Sequence, residues 1–338
     1  FGRTATVDEE GRLVKAFKTI EASDGYRSGI QTVIQTVLQS PAFLYRTELG
    51  HPGAEKNGAV IRLTSQELAS QISFLITGSR PDEELLATAE SGRLDERAEL
   101  EHQVRRLFKD PRAKEQMRHF VYALFGLDGI DSVIKNVHFI SAVEFNDRIR
   151  AAMVVELDRF IDDVLWEGPG SMHELLSRSS SVVPADLKPI YGADALETPD
   201  GSRRVPLDPN HRRGLLSLPA FLTQHAKPDI TSPVSRGVFV RRHLLCHDLP
   251  NPPPDALAAM VTGASAGATT REKFAQHVNN DSCRGCHSLI DPIGNGFESM
   301  DAIGRFRTME GKAMVDSTGE LTGTDVDGPF EGPAQLSE

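Results

Sequence analysis

Cysteines, aromatic residues, long apolar runs and positive charge are all scarce in this sequence. Its 338 residues include three cysteines, too few for a disulfide framework, and one tryptophan, Trp166. No apolar run approaches the roughly 18 residues that a membrane span needs. The 37 basic residues against 48 acidic ones give a net charge of −11, which excludes a general binder of nucleic acid or of anionic membrane surfaces. We therefore expect partners that are neutral or basic.

What is present is the composition of a folded protein, since 39% of the residues are hydrophobic and 25% are charged. At about 150 residues per domain, the chain has room for two or three domains. It begins at Phe1 without an initiator Met, and residues 332–338 resemble the interrupted start of a helix. We expect an internal piece of a longer protein, so the missing targeting signal says nothing about the compartment.

Helical periodicity dominates the first half of the sequence. Residues 7–23 and 27–41 carry apolar residues at helical spacing, and Pro41 stands where the second helix should end. Thr64 and Glu67 have the spacing of a capping box at the start of another helix. Helical spacing continues in the segments 82–90, 95–109, 112–125 and 142–166. The sequence predicts a mainly α fold, a multidomain helical array without internal repeats.

The second half is less regular. Between residues 168 and 234 Pro and Gly recur and the periodicity disappears, which predicts an irregular connection with short helices. A helix is predicted over 234–245, before an extended proline run at 250–254. The segment 270–281 is predicted to be a helix that leads directly into Cys283. Nothing alternates between polar and apolar residues regularly enough for a large β-sheet.

Residues 283–287 match C-x-x-C-H, the attachment sequence for c-type haem. At the end of a helix, Cys283 and Cys286 would both reach the vinyl groups of the haem and form thioethers, and His287 would bind the iron as the proximal ligand. A chance match is expected about once in a thousand such sequences, from a rough product of residue frequencies. Pro292 lies where small c-type cytochromes place a proline whose carbonyl accepts a hydrogen bond from the proximal histidine. The predicted cofactor is one haem c.

Three interpretations without haem compete with this one. A C-x-x-C redox pair is typical of a βαβ context, which the sequence lacks. A disulfide between cysteines three positions apart would be strained and would leave His287 without a role. Zinc is the serious alternative, because Cys246 and His247 could join Cys283 and Cys286 in a closed site with four ligands.

Around these motifs the chain resembles the planctomycete-type cytochrome C domain proteins, periplasmic arrays of domains of unknown function that are also found in other bacteria. Residues 63–127 are similar to the helical domain that usually precedes the cytochrome module of that family, and residues 1–48 to the short helical domain before it. The cytochrome module of that family is resembled by six segments of this chain: 212–216, 231–237, 244–246, 283–287, 291–294 and 301–307. The resemblance implies a haem protein of the periplasm or cell surface.

These observations divide the chain into five predicted regions. A short helical domain (1–50) and a helical domain (60–167) are followed by an irregular connection (168–210). A cytochrome c-like haem module (211–325) and the start of a truncated C-terminal domain (326–338) complete the chain. We therefore expect a mainly α, multidomain helical array that leads into a c-type cytochrome-like module through irregular connections rich in Pro and Gly.

The sixth ligand of the iron is left open by the sequence, and so are the groups that would hold the haem propionates. The candidate sixth ligands are Met300, His225 and His277, although Met more often fills a core. Without a sixth ligand the iron would favour catalysis over electron transfer. Planar guanidinium groups pair well with carboxylates, so the candidate propionate contacts are Arg236, Arg305 and Arg307, with solvated surface arginines as the alternative.

Three functions are consistent with this sequence. The first is transfer of single electrons between periplasmic partners through one haem. The second is a haem-dependent oxidoreductase, similar to an oxidase or peroxidase, or a subunit of one. The third is a structural or binding protein clamped by zinc. We expect redox partner proteins, assembly into a larger complex, no nucleic acid and no transmembrane segment, and no residue is assigned as catalytic.

Overall fold

The computed structural model describes residues 4–50, 60–136, 144–192, 196–197, 203–250, 267–275, 278 and 281–338. The fold is mainly α-helical, as predicted, and the described strands form only short antiparallel sheets. The helices are α1 (Val7–Leu38), α2 (Pro41–Leu44), α3 (Ser65–Thr77), α4 (Glu83–Glu90), α5 (Arg97–Leu107), α6 (Pro111–Phe125), α7 (Asp147–Leu165), α8 (Met172–Ser177), α9 (Lys188–Tyr191), α10 (Pro219–Gln224), α11 (Pro233–Phe239), α12 (Thr270–Phe274), α13 (Asp281–Asn295) and α14 (Gly332–Leu336). The strands are β1 (Ser180–Val183), β2 (Leu196–Glu197), β3 (Arg203–Pro206), β4 (Met309–Glu310), β5 (Ala313–Met314), β6 (Thr318–Leu321) and β7 (Gly328–Glu331).

Local sequence determines where the first helices begin and break. The Thr64 side chain accepts a hydrogen bond from the Glu67 backbone, and the Glu67 side chain accepts one from the Thr64 backbone, so the predicted capping box is confirmed. The two helical segments predicted before residue 41 are both helical. They are joined in α1, which is broken at Gly25, where φ is +82° and glycine is the residue that adopts such a value without strain.

The chain separates into two compact units, Phe1–Met117 and Arg118–Glu338. In the first unit, α3, α4 and α5 pack through buried apolar side chains such as Ile76 and Leu85. Arg106 donates hydrogen bonds of 2.6 and 2.8 Å to the two carboxylate oxygens of Asp82, and these bonds lower the pKa of Asp82. The domain boundaries predicted from the sequence stay predictions. No helix among the described residues is both long enough and apolar enough to cross a membrane.

Helix α7 passes through the core of the second unit. Its buried face includes Leu157 and Phe160, and it also buries Glu156 completely. Glu156 Oε1 accepts hydrogen bonds from Ser181 Oγ at 2.8 Å and from the Tyr191 hydroxyl at 2.6 Å. Burial raises the pKa of Glu156 to about 7, because the charged form loses its hydration.

The region that the sequence marks as an irregular connection contributes to this core. Strand β1 pairs with β3, with Ser181 opposite Val205, and the three-stranded sheet has the order β1-β3-β2. Val183, Leu187 and Val205 belong to the same buried cluster as the inner face of α7. In its described part, the segment 168–210 is therefore packed against α7 as well as irregular.

Candidate functional site

The two motif cysteines lie at the beginning of a helix. The sequence predicted a helix over 270–281 that ends at the motif, but α12 ends at Phe274 and the motif occupies the first turns of α13. Within a helix, residues i and i+3 share one face. Cys283 and Cys286 are free thiols, each partly exposed, and therefore face the same side.

His287 is oriented by a carboxylate one helical turn further on. Its Nδ1 lies 2.9 Å from Asp291 Oδ1 and 3.0 Å from Asp291 Oδ2, and a carboxylate accepts hydrogen bonds, so Nδ1 carries the proton. In the neutral ring this leaves Nε2 with the lone pair that a metal needs. The sequence assigned the orienting role to the carbonyl of Pro292, which instead lies inside α13 next to Asp291. The spacing His-x-x-x-Asp on a helix was the signal that could have identified Asp291.

Beyond the motif, α13 packs closely against α11. A Cβ added at Gly294 would lie 1.8 Å from the Pro233 carbonyl oxygen, and one at Gly237 would lie 2.0 Å from the Ile290 carbonyl oxygen. Only glycine allows the two helix backbones to approach so closely. Arg241 adds hydrogen bonds of 3.2 and 2.9 Å to the Leu289 carbonyl oxygen. The second half of α13 is therefore fixed, and it determines where the motif lies.

The donor set of this helix fits a covalently attached haem. Two accessible thiols at i and i+3 match the two thioether bonds, and the adjacent histidine has its Nδ1 proton bound by Asp291, which leaves Nε2 as the ligand atom. Cys283 and Cys286 would hold the ring, and His287 would ligate the iron.

Two of the three proposed sixth ligands are committed to the core. Met300 is fully buried in the same apolar cluster as Phe221. The Nε2 of His225 donates a hydrogen bond of 2.9 Å to the Phe125 carbonyl oxygen, and burial lowers the pKa of this imidazole to about 4. His277 lies outside the described residues. Both side chains are engaged within the packed interior, and for all three candidates the role of sixth ligand stays a prediction.

The three arginines proposed for the propionates have other partners. Arg236 is fully buried, and its guanidinium donates hydrogen bonds of 3.1 Å to the backbone carbonyls of Leu222, Phe297, Met300 and Asp301. Arg236 is therefore not a solvated surface residue, and its guanidinium is engaged with backbone carbonyls. Arg307 pairs with the buried Glu298 at 3.0 Å, while Arg305 Nε lies 3.9 Å from an Asp301 carboxylate oxygen. For these two, the contact with a propionate stays a prediction.

The four-ligand zinc site is not formed. Cys246 is exposed, and His247 Nδ1 lies 3.1 Å from Arg241 Nη1. Because a guanidinium only donates, Nδ1 of His247 accepts this hydrogen bond and Nε2 carries the ring proton, so neither nitrogen has a free lone pair. Across the described residues, which include all four proposed ligands, no three His, Cys, Asp or Glu side chains are grouped to hold a metal ion.

Three family models match successive parts of the chain. Residues 1–48 match Protein of unknown function (DUF1595), residues 63–193 match Protein of unknown function (DUF1592), and residues 212–310 match Protein of unknown function (DUF1588). No curated protein and no solved structure matches the chain. The motif at 283–287 lies within the third matched region. The matches support the resemblance found in the sequence: the chain carries, in succession, three domains associated with planctomycete-type cytochrome C proteins.

Proposed function

We propose that this protein is a c-type haem protein that transfers single electrons in the periplasm or at the cell surface. The observation that carries the proposal is the arrangement on α13, where two free thiols on one face are followed by a histidine whose Nδ1 is bonded to Asp291. The location follows from the chemistry, because c-type haem is attached by a dedicated machinery outside the cytoplasm. The match to cytochrome C-associated domains supports a role of this kind.

Each residue of the site has a defined task in this proposal. Cys283 and Cys286 would anchor the group, His287 would provide a ligand nitrogen, and Asp291 would hold the imidazole in the tautomer that can ligate. When bound, a haem supplies one-electron redox chemistry. Arg284, Gly285 and Ser288 are exposed, which leaves this end of α13 accessible to a redox partner protein.

The direct test is to export the protein with the haem-attachment machinery active and to record a pyridine haemochrome spectrum. We expect the spectrum of thioether-linked haem after export, and a colourless protein when it is made in the cytoplasm. The double variant Cys283→Ser with Cys286→Ser should lose haem on denaturation. The matched control is Cys246→Ser, which changes the third, exposed cysteine and should keep the haem. An exported wild-type protein without covalent haem contradicts the proposal.

A second function, a haem-dependent oxidoreductase, is favoured by one specific observation. Met300 and His225 are both engaged within the packed core, which favours an iron that has neither of them as its sixth ligand. An open coordination position would admit a small substrate. The optical spectrum separates the two functions. Low-spin iron that does not bind carbon monoxide supports an electron-transfer protein, whereas high-spin iron that binds carbon monoxide or peroxide supports an oxidoreductase. His277→Ala then tests the one candidate ligand that the structure does not describe.

A further inference from the structure

The partner of His287 is a buried carboxyl group. Asp291 is 5% exposed, and both of its carboxylate oxygens lie within 3.0 Å of the imidazole Nδ1. Among the described residues, Asp291 pairs with His287 and with no lysine or arginine. A hydrogen bond from Nδ1 to a neutral carbonyl would orient the ring equally well. A carboxylate also adds a negative charge close to the ligand nitrogen, in surroundings where water screens it poorly.

Asp291 is also held in place by its surroundings. It lies between Ile290, whose carbonyl oxygen approaches Gly237, and Pro292, in the half of α13 that packs against α11. Both residues beside it are therefore constrained by backbone contact or by the proline ring. The carboxylate is consequently fixed relative to α13, and it fixes the imidazole in turn.

We propose that Asp291 is a positioning residue for His287 and that its charge lowers the midpoint potential of the attached haem; this inference rests on the proposed function. Hydrogen bonding to an anion increases the electron donation of Nε2 to a bound metal. Stronger donation stabilises the oxidised, more positive iron relative to the reduced one. The same charge also favours the oxidised state through space, because the interaction is weakly screened.

The test is potentiometry of the exported, haem-loaded protein and of Asp291→Asn. Asparagine is nearly isosteric and can still accept the Nδ1 hydrogen bond through its side-chain oxygen, so it removes the charge and keeps the orientation. We expect a higher midpoint potential in Asp291→Asn, with covalent haem and axial histidine retained in the spectrum. Asp291→Ala, which removes both charge and hydrogen bond, should raise the potential and also weaken the bond between iron and His287.

The matched control is Glu320→Gln, which removes one negative charge from an exposed position on β6, the strand that packs beside α13. Solvent screens that charge, so the midpoint potential of the Glu320→Gln variant should match that of the wild type. An unchanged potential in haem-loaded Asp291→Asn overturns this inference and leaves the proposed function standing. Absence of covalent haem from the wild-type protein overturns both.

A measurement on the wild-type protein decides the case in which neither Asp291 variant folds. The sample is the reduced protein, and it is prepared as the carbon monoxide adduct if the iron is high-spin. NMR of ¹⁵N-labelled histidine then shows which imidazole nitrogen of His287 carries a proton and how fast this proton exchanges. We expect a proton on Nδ1 that exchanges slowly with solvent, because it is bonded to a buried carboxylate. A proton that exchanges as fast as those of exposed histidines contradicts the positioning role.

Discussion

The two halves of α13 behave as different kinds of structure. Up to Ser288 the helix carries partly exposed thiols and a histidine, whereas from Ile290 to Asn295 it is largely buried and touches α11 backbone to backbone. Leu289, 38% exposed, lies at the transition. The reactive residues are therefore accessible, while the residues that determine their position are rigid. A site that must present thiols for covalent attachment and still hold a ligand in a fixed orientation needs both properties.

Two imidazoles show the same contrast. His287, in the accessible half of the helix, has its Nδ1 bound by a carboxylate, so the lone pair of the neutral ring is on Nε2. His225 uses Nε2 to donate to the Phe125 carbonyl and is packed between the rings of Phe221 and Phe239. The first ring is oriented by a carboxylate, and the second is held by a backbone hydrogen bond and aromatic packing. The partner of each ring, and not the residue type, sets the difference.

Of the substitutions considered, removal of the buried Arg236 guanidinium should lower the free energy of unfolding most. Arg236→Met removes four hydrogen bonds to backbone carbonyls. The carbonyls of Phe297 and Asp301 keep backbone donors, whereas those of Leu222 and Met300 lose the guanidinium. We expect a loss of at least about 2 kcal/mol in the free energy of unfolding, because each unsatisfied buried group costs about 1–3 kcal/mol. Urea denaturation of the second unit measures the loss. Arg242→Met, at an exposed position of the neighbouring segment, should change it by less than about 1 kcal/mol. Equal stability of the two variants would contradict the account of Arg236.

Adding one methyl group to each half of α13 compares the halves directly. Gly294→Ala places a Cβ 1.8 Å from the Pro233 carbonyl oxygen, which requires α11 and α13 to separate. We expect a loss of about 3 kcal/mol in the free energy of unfolding. Gly285→Ala meets nothing within 4 Å and should stabilise the helix by up to about 1 kcal/mol. Similar thermal midpoints for the two variants would show that the halves are not packed differently.

The pH dependence of the free energy of unfolding should show the effect of protonating His225. Its pKa of about 4 in the folded protein lies below the ordinary 6.5, so the unfolded chain binds the proton first. Its contribution to stability is complete above pH 6.5 and is lost as the pH falls towards 4. By pH 5 the loss should reach about 2 kcal/mol. His225→Gln can still donate to the Phe125 carbonyl and does not titrate, so its profile should be flatter over this range. Parallel profiles for the two proteins would contradict the buried, neutral imidazole.

Local features of the fold were predictable from the sequence, whereas contacts between distant segments were not. The Thr64 capping box depends on a few adjacent residues and is confirmed. The two helical segments predicted over 7–23 and 27–41 are also local features, and the structure joins them in one helix that is broken at Gly25. The burial of Arg236 depends on carbonyls more than 60 residues away, such as that of Phe297, and no local pattern reveals it. The pairing of Ser181 with Val205 is equally non-local, which is why the packed part of the segment 168–210 was interpreted as a connection.

Within the candidate site, the sequence predicts the residues that would react but not the residues that support them. The spacing of Cys283, Cys286 and His287 is itself the signal, because covalent attachment requires it. The contact between Asp291 and His287 could also have been predicted, since residues four apart on a helix are neighbours. Pro292 was assigned as the hydrogen-bond acceptor of His287 by comparison with small c-type cytochromes. In this structure the Nδ1 of His287 contacts the carboxylate of the adjacent residue, Asp291.

The central claim, that Cys283 and Cys286 carry a haem, is tested most directly by mass spectrometry of the exported protein under denaturing conditions. We predict that the intact chain is heavier by one haem. Digestion should place the added mass on the single peptide that contains residues 283–287, and Cys283→Ser with Cys286→Ser should abolish it. A wild-type chain with its unmodified mass, exported in cells that attach haem to a control cytochrome, would contradict the account.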